Sequence, residues 1–312
     1  MDDRPSPEMQ QILDRLAQLY AHEGDLTLLP PAVGRAKAAE RSLLWNNDLP
    51  EVETQVLTLI GAEGQPMEAR LYLPTNARGT ILHLHGGGFA FGSLDGYELA
   101  SRLLALDCSM AVVTPDYRLA PEHPYPAGLN DCRAVYAQIL AGEIGANGPV
   151  VVAGDSAGAN LALALILAEH AEASPLPAAG LLFYGVFDAD FGTPSYQAFA
   201  DGPGLTRDRM RRYWDWYAPV EQRASPLLSP LRAEDAALAD LPPLLITAAA
   251  IDPLRSEAEA MFARLSALGR KDRFHFHPGV THGFMGMARD LTEGRAAFSI
   301  AAEALEQFLD HA

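Results

Sequence analysis

Five short stretches of the chain are aliphatic without alternation, the pattern of strands covered on both faces rather than of strands with one wet face. They run over 81–82, 110–114, 149–153, 180–184 and 244–248. A sixth, Phe274-His275-Phe276-His277, does alternate and is expected nearer a sheet edge. Helical stretches separate most of these runs, which predicts parallel pairing. Leu161 to Ala168 is wholly apolar and predicts a helix buried on every side. The fold class that follows is α/β: a mostly parallel, doubly wound central sheet with helices on both faces.

Near the start, Met9, Ile12, Leu13, Leu16, Leu19 and Tyr20 recur at helical spacing, with Ser6 as N-cap and Pro7 at the first helical position. The opposite face carries Gln10, Gln11, Asp14 and Gln18, with little of the positive charge that membrane anchoring needs. A chain of 312 residues with 49% hydrophobic content can bury one large sheet-and-helix core. Its net charge of −17 repels nucleic acid and anionic membrane surfaces, so neither is expected as a partner. No apolar run reaches the roughly 18 residues of a membrane span. Residues 1–5 do not read as a secretion signal. Cys108 and Cys132 are isolated, without the spacing of a disulfide framework or zinc site. A cytoplasmic location is expected.

The chemistry concentrates in loops that follow the predicted strands. Gly154-Asp155-Ser156-Ala157-Gly158 is a GxSxG pentapeptide between the run ending at Ala153 and the helical stretch from Asn160. A strand that turns at once into a helix strains the turn and pushes the serine hydroxyl outward, and side chains at Gly154 and Gly158 would collide there. Upstream, the strand Ile81 to Leu84 leads into His85-Gly86-Gly87-Gly88-Phe89. Consecutive glycines let backbone N–H groups approach closely and take positive φ, as stabilising a carbonyl oxyanion requires. Gly87, Gly88 and Ala157 are therefore the expected oxyanion donors. A phosphate loop would need GK[ST] where Phe89-Ala90-Phe91 stands.

A serine hydroxyl is a weak nucleophile near neutral pH and needs a histidine base oriented by an acid. Asp252 follows the strand Leu244 to Ala248, and His282 follows the Phe-His strand and is flanked by Gly283. The order Ser, Asp, His is that of α/β-hydrolases. Among nine histidines, His83 and His85 share a strand face, but no cysteine or carboxylate flanks them at metal-ligand spacing. His85 is expected to hydrogen-bond backbone and shape the glycine loop. His275 and His277 also share a face and are expected to be partly buried or at the surface. No metal or organic cofactor is required.

HGGGF at 85–89, DYRLAPEHPYPA at 116–127, GDSAG at 154–158, DPL at 252–254 and HGF at 282–284 together resemble the hormone-sensitive lipase family of α/β-hydrolases. Bacterial acetyl esterases within it look most similar. The resemblance extends more loosely from about Val56 to the end of the chain and implies Ser156 as nucleophile, Asp252 as acid and His282 as base. Two positions depart from the family pattern: Ser256 stands where Asp is frequent after DPLR, and Ala159 where a third glycine is usual. Ser256 is expected to alter how the Asp252 loop is braced.

The implied organisation is N-terminal cap helices over 1–55, hydrolase core over 56–187, a cap insertion over 188–222 and the rest of the core over 223–312. Phe191, Phe199, Tyr213, Trp214, Trp216 and Tyr217 in the insertion suit the wall of an acyl or alcohol pocket, or simple packing on the core. The expected activity is hydrolysis of small esters with short acyl chains, acetyl to hexanoyl by the resemblance. The alternatives are an amidase or carbamate hydrolase with the same triad, or a non-catalytic receptor like those for gibberellin. That receptor family lacks the catalytic histidine, which is present here. A homodimer is implied by the resemblance alone.

Overall fold

The computed structural model describes residues 3–310. Its strands are β1 (Glu53–Ile60), β2 (Pro66–Leu73), β3 (Thr80–Leu84), β4 (Ala111–Pro115), β5 (Val150–Asp155), β6 (Ala179–Phe183), β7 (Leu244–Ile251) and β8 (Arg273–Thr281). They form one sheet in the order β1-β2-β4-β3-β5-β6-β7-β8. All six apolar runs read from the sequence fall on β3 to β8, which pair in parallel. The alternating Phe-His strand is β8, at the sheet edge.

The departure from a parallel sheet lies at the other edge, where β1 pairs with β2 and β2 with β4, both antiparallel. These two strands escape a search for aliphatic runs because β1 is largely exposed and β2 buries only alternate positions over much of its length. Their periodicity of two is diluted by charged and polar residues such as Glu53, Gln55, Glu68 and Arg70.

The helices are α1 (Pro7–Leu19), α2 (Pro31–Ser42), α3 (Glu98–Cys108), α4 (Ala127–Leu140), α5 (Ala157–Ala171), α6 (Pro194–Ala198), α7 (Arg207–Tyr217), α8 (Asp235–Ala239), α9 (Arg255–Ala267) and α10 (Thr292–Leu309). The central strands are buried at nearly every position because each has a helical layer on both sides. Leu82, Val113, Val152, Leu182 and Ile246 pack with residues of α4, α5 and α9. Their chain neighbours Ile81, Val112, Val151, Leu181 and Leu245 pack with residues of α3 and α10. In α5 every residue from Ala157 to Glu169 is buried, so it has no polar face to present.

α1 begins as its sequence predicts, with the Ser6 side chain accepting the Met9 N–H at 3.2 Å and Pro7 in the first turn. Its apolar stripe divides along its length. Met9 and Ile12 enter the core beside Val280 and Phe284, whereas Leu13, Leu16 and Ala17 line a cavity. α7 is tied to the N-terminal region through Asp25, which pairs with Arg209 at 3.1 Å and also with Arg212. Among the described residues no helix is long and apolar enough to cross a membrane.

Candidate active site

The turn between β5 and α5 carries Ser156 in a conformation that an ordinary residue avoids, with φ 54° and ψ −120°. Such strain persists only where the surroundings over-determine it. The flanking glycines show how. A Cβ on Gly158 would lie 1.9 Å from the Leu84 carbonyl oxygen, and one on Gly154 would lie 2.3 Å from the Gly158 backbone. The missing side chains let α5 seat directly against β3, which turns the Ser156 hydroxyl toward the ends of the neighbouring strands.

Two loops at those ends reach it. Asp252 directly follows β7 and His282 directly follows β8, and these strands are parallel neighbours. The His282 Nε2 stands 2.8 Å from Ser156 Oγ, and its Nδ1 stands 2.7 Å from Asp252 Oδ2. Three residues separated by up to 126 positions thus form one continuous hydrogen-bonded line. Asp252 is fully buried, and its Oδ1 accepts the Leu254 N–H at 2.9 Å. Tyr184 packs edge-on against the His282 ring, with centroids 5.0 Å apart. The imidazole is therefore held by both a carboxylate and an aromatic wall.

The glycine loop after β3 lies on the other side of Ser156. Gly87 and Gly88 take φ of 120° and 61°, where a Cβ is disfavoured. Tyr213 of α7 packs so closely that a Cβ on Gly88 would lie 2.3 Å from its ring. The N–H groups of Gly87 and Gly88 meet no acceptor among the described residues. Ala157 is the first residue of α5, where an N–H has no partner within the helix. His85 shapes the loop as expected: its Nδ1 donates to the Gly86 carbonyl at 2.8 Å, and its ring stacks on Tyr117 at 4.4 Å.

Sequence reasoning missed the group that joins the loop to the serine turn. Asp155 Oδ1 accepts the Gly86 N–H at 2.9 Å, and its Oδ2 accepts the Tyr97 hydroxyl at 3.1 Å. Burial pushes this carboxyl up to about 6, against the opposing pull of those hydrogen bonds. Its position next to Ser156 was visible, but its partners are 58 and 69 residues away. Glu257 was also missed as a brace. It is buried and accepts the N–H groups of Phe187 and Asp188 at 2.6 and 2.9 Å, and burial raises its pKa.

Ser256 takes part in bracing the Asp252 loop. Its hydroxyl accepts the Ser195 N–H at 3.1 Å, its own N–H donates to Ser195 Oγ at 3.0 Å, and the Ser195 hydroxyl donates to the Pro253 carbonyl at 2.6 Å. The loop is thereby fastened to α6. His277 corrects one expectation, because it is fully buried rather than partly so, and its Nδ1 lies 3.0 Å from Glu293 Oε2. The segment bearing that glutamate returns to β8 only in the folded chain. Both cysteines are buried free thiols, and burial pushes Cys108 up to about 12.

A cavity of about 580 Å³ opens between the N-terminal region, the glycine loop and α7. Leu13, Leu16, Trp45, Phe91, Tyr213 and Met287 supply its apolar wall. Ser156, Asp252 and His282 do not line it; Tyr213, which does, packs over Gly88. The other aromatics of the insertion pack in or against the core instead of lining the cavity. Trp214 and Tyr217 are buried, with Tyr217 stacked on Phe89 at 3.8 Å.

A strained serine at a strand-to-helix turn, served by loops from the next strands of a mostly parallel sheet, defines a class of protein. The family model of the α/β-hydrolase fold matches residues 81–286, and the chain belongs to that family, within its hormone-sensitive-lipase-like branch. It is an esterase. It is 34% identical over 249 residues to the carboxylesterase NlhH of Mycobacterium tuberculosis, covering 77% of this chain and 78% of that protein. It is 32% identical over 256 residues to an acetyl esterase of Salmonella choleraesuis, covering 80% and 78%. Among solved structures, an ester hydrolase from the metagenome of Lake Arreo, complexed with a bipyridine phosphonate derivative, superposes with a TM-score of 0.89. That pair is 34% identical, covering 96% of this chain and 97% of the other.

Proposed function

We propose that the chain hydrolyses small carboxylic esters with short acyl chains through an acyl-enzyme on Ser156, with His282 as general base and Asp252 as the acid that orients it. The observation that carries this reading is the unbroken line from Ser156 Oγ through both nitrogens of His282 to Asp252 Oδ2, at 2.8 and 2.7 Å. His282 takes the hydroxyl proton as Ser156 attacks the ester carbonyl, and the oxyanion is held by the N–H groups of Gly87, Gly88 and Ala157. The intermediate collapses, His282 returns the proton to the leaving alcohol, and water then attacks the acyl-enzyme by the same route. Asp252 stays ionised and holds Nδ1 as the protonated nitrogen, so that Nε2 faces the serine.

Residues 1–55 and 188–222 act as a cap, and the apolar cavity between them accommodates one side of the ester. The names of two relatives, an acetyl esterase and an ethyl acetate hydrolase of Pseudomonas putida, support a short acyl group. A phosphonate probe followed by mass spectrometry is expected to modify Ser156, and p-nitrophenyl ester rates are expected to peak between acetyl and hexanoyl. An adduct on another residue would overturn the mechanism, and a maximum at palmitoyl would overturn the substrate class. Matched phenyl esters and anilides are expected to favour the ester, and the reverse preference would make the chain an amidase.

A further inference from the structure

Away from the serine, β8 and the start of α10 gather three side chains of metal-ligating type. His275 and His277 are two residues apart on a strand and project from the same face, with ring centroids 4.5 Å apart. Glu293, in the first turn of α10, comes down onto them, its Oε2 lying 3.0 Å from His277 Nδ1. One ring nitrogen from each histidine and one carboxylate oxygen all lie within 4.8 Å of one another. We propose that His275, His277 and Glu293 bind a divalent transition-metal ion of the zinc, cobalt or nickel kind.

The donor set decides the kind of ion. Two imidazoles and one carboxylate suit these borderline cations, whereas magnesium and calcium favour oxygen donors throughout. Geometry agrees. Ligand bonds of about 2.0 to 2.2 Å place two donors of one ion roughly 3 to 3.5 Å apart, and the His277–Glu293 separation already has that value. The remaining closure falls to His275, which is only half-buried and has room to turn, while His277 is fixed in the interior against Phe284 at 4.6 Å.

The site is separate from the ester chemistry but adjoins its support. Phe284 touches His277 on one side and Tyr184 on the other, at 5.2 Å, and Tyr184 touches His282. An ion here pins β8 to α10 just ahead of the loop that carries the base. The bound ion is therefore expected to raise thermal stability rather than take part in hydrolysis.

The test is titration of the full, untagged chain with Co²⁺ and Zn²⁺ after chelator treatment, followed by calorimetry, the visible spectrum of bound Co²⁺ and the melting temperature. One saturable site and a raised melting temperature are expected. His275→Gln and Glu293→Gln, both at half-exposed positions that spare the fold, should each weaken binding by about tenfold or more, the loss that follows even from removing a group one shell further out. Ser156→Ala should bind the ion as the parent does while losing turnover, which separates this proposal from the hydrolytic one. Absence of saturable binding would overturn it, as would binding that both substitutions leave unchanged.

Discussion

Asp252 shows how much one buried atom decides. Its Oδ2 fixes which nitrogen of His282 carries hydrogen, and its Oδ1 is already taken by the Leu254 N–H, so the carboxylate has little freedom to reorient. Asp252→Asn keeps the volume but offers an N–H where an acceptor is needed, which favours the wrong imidazole tautomer. Its kcat is expected to fall by about 10⁴, measured on p-nitrophenyl acetate with the fold checked by circular dichroism. A loss below roughly tenfold, far short of that figure, would remove Asp252 from the orienting role. Glu257, the carboxylate five positions on, is already committed to the backbone at Phe187 and Asp188. Ser156, Asp252 and His282 could be named from sequence because each stands in a short motif after a strand. Asp155 and Glu257 act instead by joining segments distant in the chain, and no local pattern marks that.

Among the elements, α5 shows most directly why the serine turn stays in place. It is apolar on every side, it packs against the sheet behind Ser156, and its first turn enters the gap left by the absent side chains of Gly154 and Gly158. Leu165 is fully buried within it. Leu165→Ala is expected to destabilise the protein by about 2–5 kcal/mol, read as a lower denaturation midpoint at unchanged m-value. Turnover by the folded fraction should persist, because Leu165 lies more than two helical turns beyond the nucleophile. A loss well under 1 kcal/mol would show that the helix collapses around the deletion more readily than a close-packed interior allows. This helix and strands β3 to β7 were legible because double-sided burial makes a strand or helix largely apolar, and β8 because its residues alternate. β1 and β2 were not legible, since a strand at or near an exposed edge needs few apolar positions and its pairing direction is set by the partner it meets.

For the molecule as a whole, two of the buried groups that shape acid stability pull in opposite directions. Burial pushes His83 down to about 3. Its stabilising contribution is complete above the unfolded value of about 6.5 and is lost as the pH falls toward the folded one. Burial pushes Asp155 up to about 6, so its contribution is complete below about 3.9 and is lost as the pH rises through the folded value. Between about pH 6 and 4.5 these two slopes oppose each other. In His83→Gln the imidazole's slope is gone while every other group is common to both chains, so the stability difference between parent and variant should shift by roughly 1.4 kcal/mol per pH unit across that window, against the parent as pH falls. Denaturant unfolding at several pH values measures this, and a difference that does not vary with pH would show that His83 titrates normally. The amino-acid sequence by itself determined the sheet's apolar interior, the strained serine turn, the glycine loop and the order of nucleophile, acid and base, because each is written in residues close together along the chain. Only the tertiary structure decided that Asp155 ties the glycine loop to that turn, that Ser195 and Ser256 fasten the Asp252 loop to α6, and that Glu293 meets His277. Those contacts join segments whose separation in sequence carries no periodicity, and their energy depends on distance and burial, which exist only once the layers have packed.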